Sequence, residues 1–469
     1  MPIPHVAIAG GGLTGLTVAF RLKQLAPSVS VTVLEPRNRL GGNIRTEDHD
    51  GFRVECGPNG FLDRTPSIPN LVHDLGLSNQ LIAASEGSRK NRYLFLGGKL
   101  RKLPGGPFGL LFSRLLSLRG KYSLFTEAWR KRPATVPPDE TIAEFVTRRA
   151  GKEAAEVFAD ALVTGIHAGD PAQLSVAAAF PRLPVMEREA GSIIRGFIRA
   201  AKRRRLDAEA RGEPKPGPQK MWSFGGGLQV LVDGLAAELP GRVKLDARVN
   251  SLHHGGESGG TAWLLDTDAG PMTADAVVLA CPAYEQATVL ADLDPKLADT
   301  IAGIVYNRVA VVALGYRQTD CPWSPDGFGY IAPQNTRRNV LGVQWCSSIF
   351  PDRAPPGCVL WRALCGGVNR GDVVDWDDDT LSRAVHAEIK LAMRVTGEPI
   401  FRQIIRWPHA IPQYNVGHLD RVASIEAATS AHPGLFLTGN AYRGVAMGDC
   451  AEQGELIAGQ VTSYLTGRE

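Results

Sequence analysis

The sequence predicts an α/β protein in which one helix-covered parallel sheet is assembled from both ends of the chain, with an α+β unit and a helical insertion between. Three observations predict it. Residues 5–35 read as strand, glycine turn, helix, strand, a βαβ unit of about 30 residues. After Gly434 the pattern returns, with the short apolar run Leu435-Phe-Leu, a turn at Gly439-Asn440 and a helix through Ile457. Between them the composition shifts, first to helical and basic, then to alternating strand candidates.

Taken in order, 5–9 and 29–34 are β-branched or apolar runs of strand length. Leu13, Leu16, Thr17, Phe20 and Leu25 keep an approximate helical spacing between them. From 104 to 130, Phe108, Leu110, Leu111, Phe112, Leu115, Leu116 and Leu118 are interleaved with Arg114, Arg119 and Lys121. A helical region over 141–164 follows, with Asp139 as its expected cap. Residues 195–220 are strongly basic and read as a solvated charged loop, and the tail from Glu213 through Pro218 reads as a linker. A glycine turn at 225–227 then precedes a helix and strand candidates at 243–249, 261–265, 276–280, 309–316 and 359–364. The expected organisation is a discontinuous dinucleotide-binding domain (1–85, 221–290 and 405–469), a substrate domain (86–103 and 291–404) and a helical domain (104–220). No internal repeat recurs at a fixed period.

Composition excludes several function classes. At 469 residues the chain is too long for one core, and 44% hydrophobic with 21% charged content is that of a globular protein. A net charge of +4 gives no reason to expect nucleic acid as partner. The seven cysteines form no C-x-x-C pair and no metal-ligand spacing, so reduced thiols and no metal are expected. No signal peptide and no membrane-spanning helix are expected either, and any membrane contact would be peripheral. No Ser/His/Asp or Cys/His signature points to a nucleophile.

The chemistry-bearing motif is Gly10-Gly11-Gly12-Leu13-Thr14-Gly15, which contains G-x-G-x-x-G after a strand and before a helix. Glycines there allow a tight turn and let N–H groups approach a pyrophosphate at a helix N-terminus. Gly10, Gly12, Leu13, Thr14 and Gly15 are therefore cofactor candidates. Glu35, 20 residues beyond Gly15, is placed to accept a ribose hydroxyl. A second glycine turn with arginine, Arg39-Leu40-Gly41-Gly42-Asn43, suits a long dinucleotide needing further phosphate donors. Gly439, at the end of the last strand, is expected to close the floor of that site.

These residues resemble the FAD-binding amine oxidase superfamily, with a Rossmann-like FAD domain. Longer stretches resemble its protoporphyrinogen and coproporphyrinogen III oxidase branch: Glu55-Cys-Gly-Pro-Asn-Gly-Phe61, Arg92 through Pro104, Thr164-Gly-Ile-His-Ala-Gly-Asp-Pro171, Phe350 through Pro355 and Trp407-Pro-His-Ala-Ile-Pro-Gln-Tyr414. The resemblance implies FAD as cofactor and a six-electron oxidation of a porphyrinogen to a porphyrin in haem synthesis. Molecular oxygen would reoxidise the flavin to give peroxide. Protoporphyrinogen IX leads as substrate, and coproporphyrinogen III stays open because Arg89, Lys90 and Arg101 near Arg92 could serve extra propionates. A different amine or carotenoid oxidase and a non-enzymatic flavin or tetrapyrrole carrier are the more distant readings.

By the same resemblance, Arg92 pairs a substrate propionate, Val309 and Trp345 sandwich the tetrapyrrole, and Gly165, Gly169 and Asn59 flank it. Gly57, Pro58 and Asn59 are expected at the cofactor, Val249 at the adenine, Trp407 against the isoalloxazine, and Val445 and Met447 at its far end. The Gly448-Asp449-Cys450 stretch departs from the commoner Gly-Arg-Cys. His167, His409 and His418 are expected to be held by backbone hydrogen bonds, and no side chain is assigned as catalytic. The 104–130 segment resembles the family's peripheral membrane-attachment region, with its own core as the other reading. A cytoplasmic enzyme, peripheral on the inner face of the cell membrane, with a homodimer and hand-off to a chelatase, completes what the resemblance suggests.

Overall fold

The computed structural model describes residues 3–133, 135, 137–212, 217, 219–255, 262–322, 326–336 and 338–467. Its first sheet has five parallel strands in the order Val243–Lys244, Ser30–Leu34, His5–Ala9, Ala276–Leu279 and Leu435–Leu437. Strand periodicity sorts its two faces. Val6 and Ile8 pack against helices Leu13–Leu25, Gln229–Ala237 and Met447–Thr466, whereas Ala7 and Ala9 face the opposite layer. That layer is a three-stranded antiparallel sheet with helices Ala283–Leu290, Pro295–Ala302 and His418–Thr429. The first and last helices of the chain lie side by side because Gly454 has no side chain; a Cβ there would come 2.8 Å from Thr17 Cβ. The expected strand at 243–249 is two strands, since Asp246 adopts φ 49° and turns the chain, its N–H donating to Arg37 O.

The second sheet has seven strands in the order Phe401–Trp407, Val309–Arg317, Cys358–Gly366, Gly342–Gln344, Gly329–Ile331, Arg92–Leu96 and Lys99–Lys102. One face carries the core cluster of Val312, Tyr316, Trp361, Cys365 and Trp345 under helix Asp378–Met393. The other face turns toward the first sheet and the helical segment. Strand 401–407 runs through position 405, so a boundary drawn there divides one strand, and helix 295–302 packs with the first sheet's layer.

The intervening segment is helical, with corrections of detail. Thr141, not Asp139, caps helix Ile142–Ala150, accepting from Glu144 N at 3.1 Å while the Glu144 carboxylate accepts from Thr141 N at 2.9 Å. Asp139 instead accepts from Ser175 Oγ and from Gly417 N at 2.8 Å. The helical region expected over 141–164 is interrupted at Gly151, whose φ of 96° ends one helix before the next begins. The basic run at 195–205 lies on helix Ile193–Ala210 and is not a loop, because Arg, Lys and Ala are good helix formers and Ser192 caps it. Of the expected linker, residues 213–216 and 218 lie outside the described residues.

Candidate active site

The glycine turn sits where the first sheet's central strand meets its helix. Gly10 needs φ 112°, and a Cβ on Gly15 would come 2.0 Å from Gly10 O. Both glycines are thus demanded by the turn itself. Gly12 and Gly42 face each other with open space: a Cβ on Gly12 would meet only Gly42 Cα, at 3.9 Å. Helix 13–25 begins there, at Leu13 and Thr14, without a side-chain cap and without an acid in its first turn, leaving a positive helix end for an anion.

The two ionic residues expected at this turn have protein partners. Glu35, buried, accepts from Gly11 N at 2.8 Å and Arg37 N at 3.1 Å. A carboxylate has about four lone-pair sites, so capacity remains for a hydroxyl. Arg39 donates to the carbonyls of Gly42 at 2.9 Å and of Leu40 and Ile44 at 3.3 Å, holding the Gly41-Gly42-Asn43 turn. Burial first, then Arg37 and Arg45, keep its pKa below the ordinary arginine value. Arg37 and Arg39 both donate to Gly42 O, and two guanidinium groups beside an open glycine pair fit a pyrophosphate. Val249 opens its strand beside this site, since Ala247 N donates to Glu35 O at 3.0 Å.

The 55–59 segment joins the two sheets. Three successive carbonyls are held by side chains of the seven-stranded sheet. Arg362 donates to Glu55 O and, at 2.8 Å, to Gly57 O; Trp407 Nε1 donates to Cys56 O at 2.9 Å. Gly57 is required because a Cβ would lie 1.9 Å from Asn43 O, so this segment lies against the cofactor turn. Beyond Pro58, Asn59 is buried, its Oδ1 facing Cys346 Sγ and its Nδ2 meeting no protein acceptor. An unmet buried donor is costly and calls for a ligand atom.

Directly opposed residues of paired strands share a face. The register Leu94↔Ile331↔Gly342↔Leu364↔Val311 is one row of this face, its Leu94 end packed under Leu115, Leu116, Val157 and Ala161 of the helical segment, and Gly366↔Val309↔Trp407 is another. Val309, Trp407, Leu364 and Ala168 form one apolar cluster there. Arg92 shares this face at its far end, its guanidinium 4.8 Å from the Phe328 ring centroid, with no carboxylate partner among the described residues. Solvent reaches Arg92, yet protein atoms wall it in, and that burial lowers its pKa. A residue both accessible and crowded lines a cleft.

Trp345 does not line it. Following Gln344 by one residue, it points to the opposite face, fully buried and packed on Tyr93 with centroids 5.4 Å apart. The expected aromatic face of the sandwich is therefore core. On the cleft's other side, helix Asp160–His167 exposes Leu162, Gly165 and Ile166, and a Cβ on Gly165 would reach Ile331 Cδ1 at 2.8 Å. Gly169 is buried, its carbonyl accepting from Gln334, and a Cβ there would meet Gln413 Oε1 at 2.4 Å.

The C-terminal residues divide. Gly439 requires φ 119° after strand 435–437. Gln286, absent from the expected residues, donates to the carbonyls of Leu279, Cys281 and Thr438 and so ties together the carboxyl ends of two strands. Val445 packs on the helical segment's cluster, Met447 in the first sheet's core, and their N–H groups meet no acceptor among the described residues. Asp449 receives Arg64 at 2.6 Å, so an acid stands where an arginine is commoner, and its cation comes from elsewhere.

Of the histidines, His418 is held as expected, Nε2 lying 3.1 Å from Tyr442 O. His167 is not: Nδ1 has no hydrogen-bond partner, and the ring packs edge-on to Phe180 and against Tyr414. His409 is exposed, its ring on Tyr284. Burial lowers the His167 pKa from 6.5 to about 4. The neutral ring is favoured only in the folded state, so the unfolded chain binds more protons between these values. Stability is complete above pH 6.5 and is lost as pH falls toward about 4, by up to about 3 kcal/mol. Urea unfolding of His167→Phe should show a flatter acid limb than the parent; an unchanged limb would contradict this assignment.

A dinucleotide cradle joined through one clamped loop to an apolar cleft defines a flavoprotein oxidoreductase. The chain belongs to the flavin containing amine oxidoreductase family, whose model matches residues 13–462. It is accordingly an FAD-dependent enzyme, and the open Gly12–Gly42 pair, Arg37 and Arg39 beside it and the unmet Asn59 donor fit that cofactor. The chain is 33% identical to the chloroplastic protoporphyrinogen oxidase of Nicotiana tabacum over 98% of this chain and 85% of that one. It is 30% identical to the coproporphyrinogen III oxidase of Bacillus subtilis, covering 98% of each. A crystal structure from Exiguobacterium sp. 255-15 superimposes with TM-score 0.83 at 25% identity, covering 98% of this chain and 99% of that one. Among the described residues no helix is long and apolar enough to cross a membrane, and no cluster of three metal-ligating side chains occurs.

Proposed function

We propose that this enzyme oxidises protoporphyrinogen IX to protoporphyrin IX in haem biosynthesis, consuming three O2 and releasing three H2O2 per ring. FAD supplies the acceptor for two electrons in each of three rounds. The protein's part is to bind and orient: Val309, Leu364 and Trp407 offer an apolar floor to the macrocycle, and Arg92 offers a guanidinium to a propionate. The observation that carries the reading is the one cleft face, apolar at its cofactor end and ending in a cation without a carboxylate partner among the described residues.

The same surroundings favour protoporphyrinogen over coproporphyrinogen. Arg89 and Lys90 both pair with Glu86, and Arg101 donates to the carbonyls of Arg114 and Leu96. Arg89 and Lys90 share that one carboxylate and Arg101 is engaged by backbone, whereas Arg92 has no carboxylate partner among the described residues, so Arg92 is the cation most free to meet a propionate. Porphyrin fluorescence growth in air, with FAD-loaded protein and each porphyrinogen, tests the reading. Faster turnover of coproporphyrinogen III would reverse the substrate, and no acceleration of either would remove the reading. Arg92→Ala is expected to lower kcat/KM by about 10- to 100-fold, the worth of one charged hydrogen-bonded contact.

We also propose peripheral membrane contact through 107–129. Phe108, Phe112 and Leu118 are each more than four-fifths exposed, beside exposed Trp129 and the cations Arg114, Arg119 and Lys121. Co-sedimentation with anionic vesicles should be strong and should fall several-fold in Phe108→Ser/Phe112→Ser. Equal sedimentation of parent and variant would exclude this surface.

A further inference from the structure

The cleft face holds a polar row of which the proposed function uses only Arg92. Register places Arg92, Gly329, Gln344 and Arg362 directly opposite one another on four adjacent strands. Arg362 is buried and bound to the 55–57 segment, and its Nη2 donates to Gln344 Oε1 at 2.6 Å. A guanidinium can only donate, so the amide oxygen must face it and the amide N–H2 must face away. Gln344 is partly exposed, and that N–H2 meets no acceptor among the described residues.

The strand between Gln344 and Arg92 contributes no side chain. Gly329 adopts φ 134°, and a Cβ would lie 2.0 Å from Val343 O, so none can be added. Two donors, Gln344 Nε2 and the Arg92 guanidinium, therefore flank an open strip. Their Cα atoms are two strand spacings apart, about 10 Å. The four pyrrole nitrogens of a porphyrinogen all carry hydrogen and donate, so its strong acceptors are its carboxylates.

We propose that Gln344 is a second carboxylate-binding residue, oriented by Arg362, and that with Arg92 it takes the two propionates of one substrate molecule. This rests on the porphyrinogen reading. Arg362 acts through Gln344 and through the 55–57 backbone, as a positioning residue. Two donors for two propionates also match a ligand with two acid side chains.

The test is equilibrium titration of the FAD-loaded enzyme with protoporphyrin IX and with its dimethyl ester, in one detergent buffer, read by porphyrin fluorescence. Gln344→Leu should weaken binding of the diacid by about tenfold, the worth of a hydrogen bond to a charged group, and leave the diester within twofold. Gln344→Glu keeps an oxygen for Arg362, so it preserves the fold, and should weaken the diacid further by repulsion without affecting the diester. Arg362→Lys should reproduce the Gln344→Leu ratio, with no additional loss in the double variant. Wild-type diacid-to-diester ratios in both Gln344 variants, alongside an altered ratio in Arg92→Ala, would overturn the assignment and leave the porphyrinogen reading standing. Failure of the parent enzyme to bind either porphyrin would overturn both.

Discussion

Gly15→Ala is expected to abolish FAD retention. The added Cβ would lie 2.0 Å from Gly10 O and 3.3 Å from Ala280 Cβ, both on the sheet and its turn. A backbone carbonyl cannot swing aside as a side chain can. Helix 13–25 must therefore move off the strand, and its N-terminal N–H groups leave the position from which they would meet a pyrophosphate. Purified variant protein, passed through gel filtration, should carry at least about tenfold less flavin absorbance per chain than the parent, since one well-placed charged contact alone is worth that much. Stoichiometric flavin in the variant would show that the turn tolerates the methyl group and that the cradle lies elsewhere. Gly12→Ala is the control, because its Cβ meets nothing closer than 3.9 Å within the protein and any loss must come from the ligand.

Arg353→Met is expected to destabilise the whole enzyme by about 3–5 kcal/mol, the cost of breaking a buried ion pair from one side. Arg353 is fully buried, 3.4 Å from Glu55 Oε1, with Ser223 Oγ accepting at 2.8 Å and Asp352 at 2.7 Å. Glu55 is equally enclosed, accepting from Leu228 N at 2.9 Å and Thr46 Oγ1 at 2.8 Å. Burial already raises the Glu55 pKa, and Arg353 is the largest of the groups that oppose it. Removing the arginine leaves a carboxyl group that protonates more readily, so as pH falls toward the raised value the variant should gain more stability from Glu55 than the parent does. The pair joins the end of strand Phe52–Glu55 to the 351–353 turn beside the seven-stranded sheet, so flavin release and unfolding should shift together in urea. The double variant Glu55→Leu/Arg353→Met should recover much of the loss. Equal destabilisation by the double variant would mean that packing, not the buried charge, sets the effect.

Local signals were legible. The turn at 10–15 reads from glycines that only a strand–helix junction with a close approach requires, and Glu35 follows at the distance a second strand imposes. Long apolar runs, such as 309–316, read as strands because no charged residue interrupts them. Short elements were not. Strand Gly342–Gln344 has three residues, too few for alternation to show which side chain meets the cleft, so nothing local opposes the resemblance that places Trp345 against the tetrapyrrole. Arg362 and Gln344 carry no motif, and only the register of three strands brings them to one row. Arg353 reads as one charge among 100 charged residues until burial and Glu55 single it out. The basic run at 195–205 reads as a solvated loop from its charge alone, while helix propensity and the Ser192 cap decide its form.

By itself, the sequence determined what depends on neighbours along the chain: the βαβ unit, the glycines of its turn, the dinucleotide-binding chemistry they imply and the helical character of the 141–164 region. The tertiary structure alone decided which distant segments meet: 55–57 with Arg362 and Trp407, Glu55 with Arg353, and Arg92 with the Gln344 row. Local conformation follows from backbone sterics within a few residues. The face a side chain presents in a sheet is set by pairing with strands hundreds of residues away, and a shift of one position reverses it.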